Sequence, residues 1–91
     1  MRGNTLSFKI FWNKEALDDL KQLDKPIRQK IFDRVETYLA QDPANIGKAL
    51  AGNHAGLYRY RYGDYRVIYA LDLAENIMTI LEAGHRRDIY K

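Results

Sequence analysis

Cysteine is absent from this sequence, and histidine and proline each occur only twice. Without cysteine the chain has no disulfides and no thiolate metal sites, which is consistent with an intracellular protein. Because His54 and His85 are the only imidazoles, the sequence gives little support to a metal site, and we expect neither a metal nor a small-molecule cofactor. No apolar run approaches the roughly 18 residues of a membrane span and no signal-peptide pattern is present, so we expect a cytoplasmic protein without membrane association.

Length and composition describe one small domain. The 91 residues are 46% hydrophobic and 30% charged, as is typical of a globular chain, and we expect a single domain over residues 1–91. The formal net charge of +3 favours an anionic partner only weakly. The placement of the charge is more informative, because the cationic side chains between Leu57 and Val67 are all arginines, whose rigid donor fork suits phosphate.

The first half of the chain has the pattern of a strand followed by two helices. Residues Leu6 to Trp12 alternate between apolar and polar, as in a half-buried strand, and Asn13 is placed to cap the helix that follows. Pro26 suits the first turn of a second helix. The helices carry apolar stripes that need a sheet to cover them: Ala16, Leu17, Leu20 and Leu23 on the first, and Ile27, Ile31, Val35 and Leu39 on the second, which Phe32 and Tyr38 widen.

The second half of the chain predicts a loop and then three strands. Residues 43–56 are rich in glycine, proline and asparagine and are expected to form a loop. Strands are predicted at residues 57–62, 65–71 and 77–83, with turns between them. The order is therefore β-α-α-β-β-β. It indicates an α+β fold in which a helical hairpin packs on a small, mainly antiparallel sheet.

Arginines and tyrosines are predicted to occupy opposite faces of the hairpin, because side chains alternate across a strand. The larger, more aromatic set should face the core, which places Arg59, Arg61 and Arg66 together on the outer face. Cross-strand neighbours lie about 5 Å apart, and like charges at that range destabilise the fold. The cluster is therefore better explained if an anion completes it. The alternative is a solvated strand face balanced by acidic neighbours such as Asp64 and Glu82.

The end of the chain adds further groups suited to phosphate chemistry. His85, Arg86, Arg87 and Tyr90 follow the last predicted strand. The alternation of that strand, extended past its end, puts Met78, Ile80, Glu82, Gly84 and Arg86 on one face and Thr79, Leu81, Ala83 and His85 on the other. Because the chain leaves the sheet there, it can bring His85, Arg86 and Tyr90 near the hairpin arginines. An imidazole, a phenol and several guanidiniums together can move protons and hold the charge that grows on phosphate oxygens. No serine or cysteine stands out as a nucleophile.

The segments "LDKPIRQKI", "DPANIGKALAGNHAGLYRYRYGDYRVIYALD" and "LEAGHRRDIYK" resemble the RelE toxins of the RelE/ParE superfamily of bacterial toxin–antitoxin systems. The resemblance covers nearly the whole chain. It implies a ribosome-dependent mRNA endonuclease that needs no metal and acts in the ribosomal A site. In that reaction the ribose 2′-OH attacks the adjacent phosphate and leaves a 2′,3′-cyclic phosphate and a 5′-OH.

The resemblance also implies which residues act. The family's basic hairpin positions match Arg59, Arg61 and Arg66, and its later arginine and tyrosine match Arg86 and Tyr90. Some family members carry lysines where this chain has Arg59 and Arg61. A lysine with a lowered pKa can act as a base, whereas arginine stays protonated. The two arginines are thus expected to be electrostatic clamps.

Because arginines replace those lysines here, the resemblance does not identify the general base. His85 is the candidate, because an imidazole titrates near neutral pH, but a structural role for it is equally open. Lys48 and Arg87 are further candidates for RNA contacts, and the alternative for Lys48 is a solvated loop lysine.

Two partners and one rival function follow from the resemblance. The partners are a cognate antitoxin and the ribosome with its mRNA. The rival is a ParE-like protein that inhibits DNA gyrase by binding, without nuclease activity. ParE relatives generally lack the full basic set, which this chain retains at Arg59, Arg61, Arg66 and Arg86, together with Tyr90.

Overall fold

A computed structural model describes residues 7–54, 56–85 and 87 of the chain. The strands are β1 (Lys9–Trp12), β2 (Lys48–Ala49), β3 (Leu57–Tyr62), β4 (Tyr65–Asp72) and β5 (Ile77–His85). The helices are α1 (Lys14–Lys21), α2 (Lys25–Thr37) and the one-turn α3 (Pro43–Ile46), with 3₁₀ turns at Leu39–Gln41 and Gly52–His54. In this part of the chain, no helix is both long and apolar enough to cross a membrane.

The strands described here join into one sheet in the order β1-β5-β4-β3-β2. β1 runs parallel to β5, and the remaining neighbours are antiparallel. The predicted α+β fold with a mainly antiparallel sheet is confirmed. One part of the prediction was wrong, because residues 43–56 are not a loop throughout: they contain α3 and β2. A two-residue strand such as Lys48–Ala49 is too short to show an alternation that sequence reasoning can detect.

The helices form where their caps and apolar spacing predict. Asn13 takes the extended backbone of an N-cap before α1, although its side chain makes no capping hydrogen bond, and Pro26 lies in the first turn of α2. Ile31 and Val35 are buried in the core. Phe32 and Tyr38, expected to widen that stripe, are instead 37% and 41% exposed. Phe32 stacks on Trp12 with ring centroids 5.3 Å apart.

The core lies between the helices and one face of the sheet, as the tyrosine alternation predicted. Tyr60, Val67 and Tyr69 are buried there, with Tyr58, Tyr62, Tyr65 and Leu71 packed around them. These tyrosines define what we call the tyrosine face of β3 and β4. Because β3 and β4 alternate regularly, their remaining side chains must lie on the opposite face.

A β-bulge interrupts β5 and corrects the predicted alternation of that strand. Tyr69 pairs with Ile80 and Ile68 pairs with Glu82, so Leu81 has no partner on β4. Beyond the bulge, Ala83 returns to the core side. Its backbone N–H donates to Asp19 Oδ2 of α1 at 3.1 Å, which fixes the strand against the helix.

Candidate functional site

The basic side chains of the hairpin lie in two rows on the face of the sheet opposite the tyrosines. Lys48 of β2 stands opposite Arg59 of β3, and Arg61 of β3 stands opposite Arg66 of β4. Residues opposed in this way share a face and have Cβ atoms about 5 Å apart. We call these four residues the arginine face. Since Arg59 and Arg61 are two positions apart on one strand, the rows are separated by about 7 Å.

A groove runs beside the first row. Its volume is about 310 Å³, and the side chains that give it positive charge are those of Lys48, Arg59 and Arg61. Asn45, Ile46, Gly47 and Tyr60 complete its lining. Lys48 was predicted from its position before the hairpin, and the pairing of β2 with β3 places it beside Arg59. The groove is therefore cationic, and it lies at the β2 edge of the sheet beside α3.

Arg66 lies on the predicted face but is not open to solvent as predicted. Only 6% of it is exposed, so it is a buried charged side chain. One terminal nitrogen, Nη1, lies 3.4 Å from the carbonyl oxygen of Gly63 and 3.3 Å from that of Tyr65. Its Nε is buried without a hydrogen-bond partner in the described part of the chain. An N–H held in this state costs stability, and it is a donor that a bound anion could use.

Within the described residues, no carboxylate forms an ion pair with Lys48, Arg61 or Arg66. An ion pair does join Lys14 to Asp18 on α1, at 3.1 Å. Glu82 shares the arginine face through its pairing with Ile68, and Asp64 lies in the turn, but neither forms an ion pair with Lys48, Arg61 or Arg66. The alternative of a solvated face with its own acidic partners is therefore not favoured at these three positions.

His85 lies on the other side of the sheet from the arginines. It pairs with Tyr65 on β4, and the two rings meet edge to face with centroids 5.5 Å apart. The backbone N–H of Arg87 donates to its Nδ1 at 3.2 Å. Its role as general base stays a prediction, as do the RNA contact of the exposed Arg87 and the roles of Arg86 and Tyr90. Arg86 and Tyr90 lie outside the described residues.

One set of contacts that fixes the chain before β2 was not predicted from the sequence. The Tyr69 hydroxyl donates to the carbonyl oxygen of Pro43 at 2.6 Å, and its ring stacks on Tyr58 with centroids 5.6 Å apart. Burial, with a smaller contribution from Tyr58, raises the pKa of Tyr69 above its ordinary value, so the hydroxyl stays a donor. A Cβ at Gly47 would overlap that hydroxyl and lie 2.8 Å from Cζ. Glycine is thus required immediately before Lys48. Gly47 is visible in the sequence, but the reason for it is clear only once the fold places Tyr69 against it.

A second unpredicted contact ties α2 to β3. Arg34 Nε donates to the Tyr60 hydroxyl at 3.1 Å, and its guanidinium lies 4.4 Å from the Tyr38 ring centroid and 5.8 Å from that of Tyr62. The hydrogen bond to Tyr60 is the main reason that the pKa of Arg34 is raised. This contact joins α2 to the tyrosine face of β3, the strand that carries Arg59 and Arg61 on its other face. No cluster of three or more His, Asp or Glu side chains suited to a metal occurs in the described chain.

Comparison with known proteins gives matches over most of the chain. Residues 10–90 match the family described as "ParE toxin of type II toxin-antitoxin system, parDE". Toxin RelG of Mycobacterium tuberculosis is 29% identical over 86 residues, which are 94% of this chain and 99% of the relative. Toxin RelE of the same organism is 33% identical over 76 residues, 84% of this chain and 78% of the relative.

A solved structure matches the fold as well. One chain of the toxin–antitoxin complex RelBE2 from Mycobacterium tuberculosis superposes with a TM-score of 0.86 at 26% identity. The superposition covers 91% of this chain and 95% of that chain.

Proposed function

Because this chain belongs to the RelE/ParE family of toxins from type II toxin–antitoxin systems, we propose that it is a ribosome-dependent endoribonuclease that cleaves mRNA in the A site. The observation that carries the proposal is the pair of basic rows on the arginine face, Lys48 with Arg59 and Arg61 with Arg66. A binding protein could use surface charge alone. A buried guanidinium with an unpartnered Nε, as in Arg66, instead suits the stabilisation of charge that develops in a transition state.

The proposed reaction is an internal transfer at phosphorus. The ribose 2′-oxygen forms a bond to the adjacent phosphorus, the bond from phosphorus to the 5′-oxygen breaks, and the products are a 2′,3′-cyclic phosphate and a 5′-OH. A proton leaves the 2′-OH and a proton reaches the departing 5′-oxygen. Negative charge grows on the non-bridging oxygens, where Arg61 and Arg66 would donate hydrogen bonds because their guanidiniums stay protonated.

The first row supports binding. Lys48 and Arg59 line the groove beside the reacting row, where they would hold a neighbouring phosphate of the mRNA. Arginine forks can bind phosphate in bidentate fashion and stack on bases, which suits single-stranded RNA. Neither Arg59 nor Arg61 can accept a proton, so the groups that move protons must come from elsewhere. Tyr90, at the end of the chain, stays a candidate.

The partner that restrains the toxin is a cognate antitoxin. The solved relative is a toxin–antitoxin complex. The cationic groove is a receptor for an acidic or extended segment of such a protein. Two modes of inhibition remain open: the antitoxin covers the arginine face, or it displaces the end of the chain.

Cleavage mapping tests this proposal against the gyrase-binding rival. After the toxin is induced, primer extension on a reporter mRNA should find new 5′ ends inside translated codons, and the Arg61→Ala variant should lack them. Intact mRNA together with accumulating gyrase–DNA breaks would instead support the rival function.

A further inference from the structure

The β-bulge at Leu81 decides which side of the sheet Glu82 occupies. Ile80, which comes before the bulge, pairs with Tyr69 and is buried in the core. A regular strand would place Glu82, two residues further along, on that same core side. Because the bulge adds one residue to β5, Glu82 instead pairs with Ile68 and lies on the side of the arginine face. Bulges that re-aim a side chain in this way are common next to active sites.

A contact from α1 fixes the strand just after the bulge. Ala83 returns to the core, and its backbone N–H donates to Asp19 Oδ2 at 3.1 Å. Since side chains alternate across a strand, the core position of Ala83 holds its neighbour Glu82 on the outer side, where Glu82 is exposed. The fold therefore presents this carboxylate on the cationic side of the sheet.

Glu82 lies diagonally across from Arg66. The residue directly opposite Arg66 on β5 is Gly84, and diagonal neighbours such as Glu82 and Arg66 have Cβ atoms about 7–8 Å apart. Arg66 Nη1 bonds to the carbonyl oxygens of Gly63 and Tyr65, which lie on the turn side of Arg66 and so away from Glu82. The two side chains are thus neighbours that do not neutralise each other.

The Glu82 carboxylate keeps its capacity to accept. Within the described residues it forms no hydrogen bond and no ion pair. Ile68, which is 6% exposed, lies between Glu82 and Arg59 in one cross-strand row. An ionised carboxylate has two acceptor oxygens, whereas a guanidinium has only donors. Glu82 therefore supplies what the guanidiniums beside it lack, a group that can take up a proton.

We propose that Glu82 is the general base of the cleavage reaction and takes the proton of the ribose 2′-OH. As the 2′-oxygen bonds to phosphorus, this proton passes to a carboxylate oxygen, and the bond from phosphorus to the 5′-oxygen breaks. The departing 5′-oxygen takes a proton from water, and the hydroxide so formed returns Glu82 to its ionised state. His85, the candidate from the sequence, lies on the other side of the sheet. This inference rests on the proposed nuclease function.

Glu82→Gln tests the assignment, because the amide has nearly the same size and still forms hydrogen bonds but does not take up the proton. General base catalysis contributes about 10²–10⁴-fold, so we expect single-turnover cleavage on programmed ribosomes to fall by about 10²-fold or more. Glu75→Gln is the matched control, since it makes the same change of charge at an exposed position in the turn between β4 and β5.

A binding measurement separates proton transfer from a role in balancing charge. The affinity of each variant is measured for ribosomes programmed with an mRNA whose scissile nucleotide is a 2′-deoxynucleotide, which lacks the attacking hydroxyl. Removal of a negative charge beside the arginine face should leave this affinity equal to that of wild type or make it tighter. The urea midpoint should not change, because the exposed carboxylate has no hydrogen bond or ion pair in the described chain to lose.

Loss of cleavage in Glu82→Gln with binding that is equal or tighter, and with full activity in Glu75→Gln, supports the assignment. Two results overturn it. One is a Glu82→Gln variant that cleaves at least as fast as wild type, which would make Glu82 a balancing charge only. The other is a loss of binding as large as the loss of cleavage. If wild type cleaves no mRNA, the proposed function itself fails, whereas cleavage by both wild type and Glu82→Gln removes only the assignment of the base.

Discussion

The support beneath Lys48 allows a double-mutant cycle between Gly47 and Tyr69. In Gly47→Ala, the new Cβ would overlap the Tyr69 hydroxyl, lie 2.8 Å from Cζ and lie 3.0 Å from the Arg59 carbonyl oxygen. Tyr69 has no room to withdraw, because it is 0% exposed and bonded to Pro43. Overpacking costs about 1–3 kcal/mol, and a buried carbonyl that loses its donor costs about as much again. We therefore expect Gly47→Ala to lower the free energy of unfolding by about 2–6 kcal/mol.

Tyr69→Phe removes the hydroxyl that the Cβ of an alanine at position 47 would overlap. On its own it leaves the Pro43 carbonyl without its donor, and we expect a cost of about 1–3 kcal/mol. In that background the overlapping oxygen is gone and the hydrogen bond is already lost, so Gly47→Ala should cost at least about 1 kcal/mol less than in wild type. Independent sites add to within about 0.3–0.5 kcal/mol, so a coupling of this size is measurable.

Urea denaturation of wild type, both single variants and the double variant gives the coupling energy. Gly52→Ala with Tyr69→Phe is the matched control. Gly52 has a φ of +67° and no atom within 4 Å of its Cβ position, so alanine there strains the backbone without touching Tyr69. That pair should be additive. Additivity at Gly47 as well would refute the view that Tyr69 holds the chain at Lys48.

Three further expectations concern charge and support. Arg66→Met should lower cleavage by about 10²–10³-fold without lowering the urea midpoint, because it removes a buried charge with an unpartnered N–H; undiminished cleavage would contradict its assignment. Asp19→Ala should cost about 1–3 kcal/mol in urea denaturation by orphaning the Ala83 N–H, and Asp19→Asn less; equal losses would point to another role for the carboxylate. Lys48→Ala should reduce the salt dependence of binding to a non-cleavable RNA oligonucleotide by about 0.7 in log–log slope, with Lys48→Arg unchanged. An unaltered slope would make Lys48 a solvated lysine.

The elements predicted correctly are those with a repeating signal. The tyrosine and arginine alternation of β3 and β4 extends over enough residues to fix both faces of the hairpin. The spacing of Ile31 and Val35 likewise identified the buried side of α2. Each of these depends on periodicity, which local sequence records directly.

The features that were missed depend on contacts between distant segments. β2 is two residues long and exists because it pairs with β3, and Gly47 is required by a tyrosine 22 positions later. The bulge at Leu81 exchanges the two faces of β5 for the residues that follow it. No proline or glycine occurs in residues 77–83 to indicate a bulge there. The burial of Arg66 was also missed, because strand alternation gives the face of a residue and not what covers that face.

Mapping of mRNA ends in a purified translation system, with and without ribosomes, decides whether this chain is a ribosome-dependent endoribonuclease. We expect cuts within translated codons that end in a 2′,3′-cyclic phosphate, that require ribosomes, and that disappear in the Arg61→Ala variant. Intact mRNA in the presence of active ribosomes and wild-type protein would contradict this proposal.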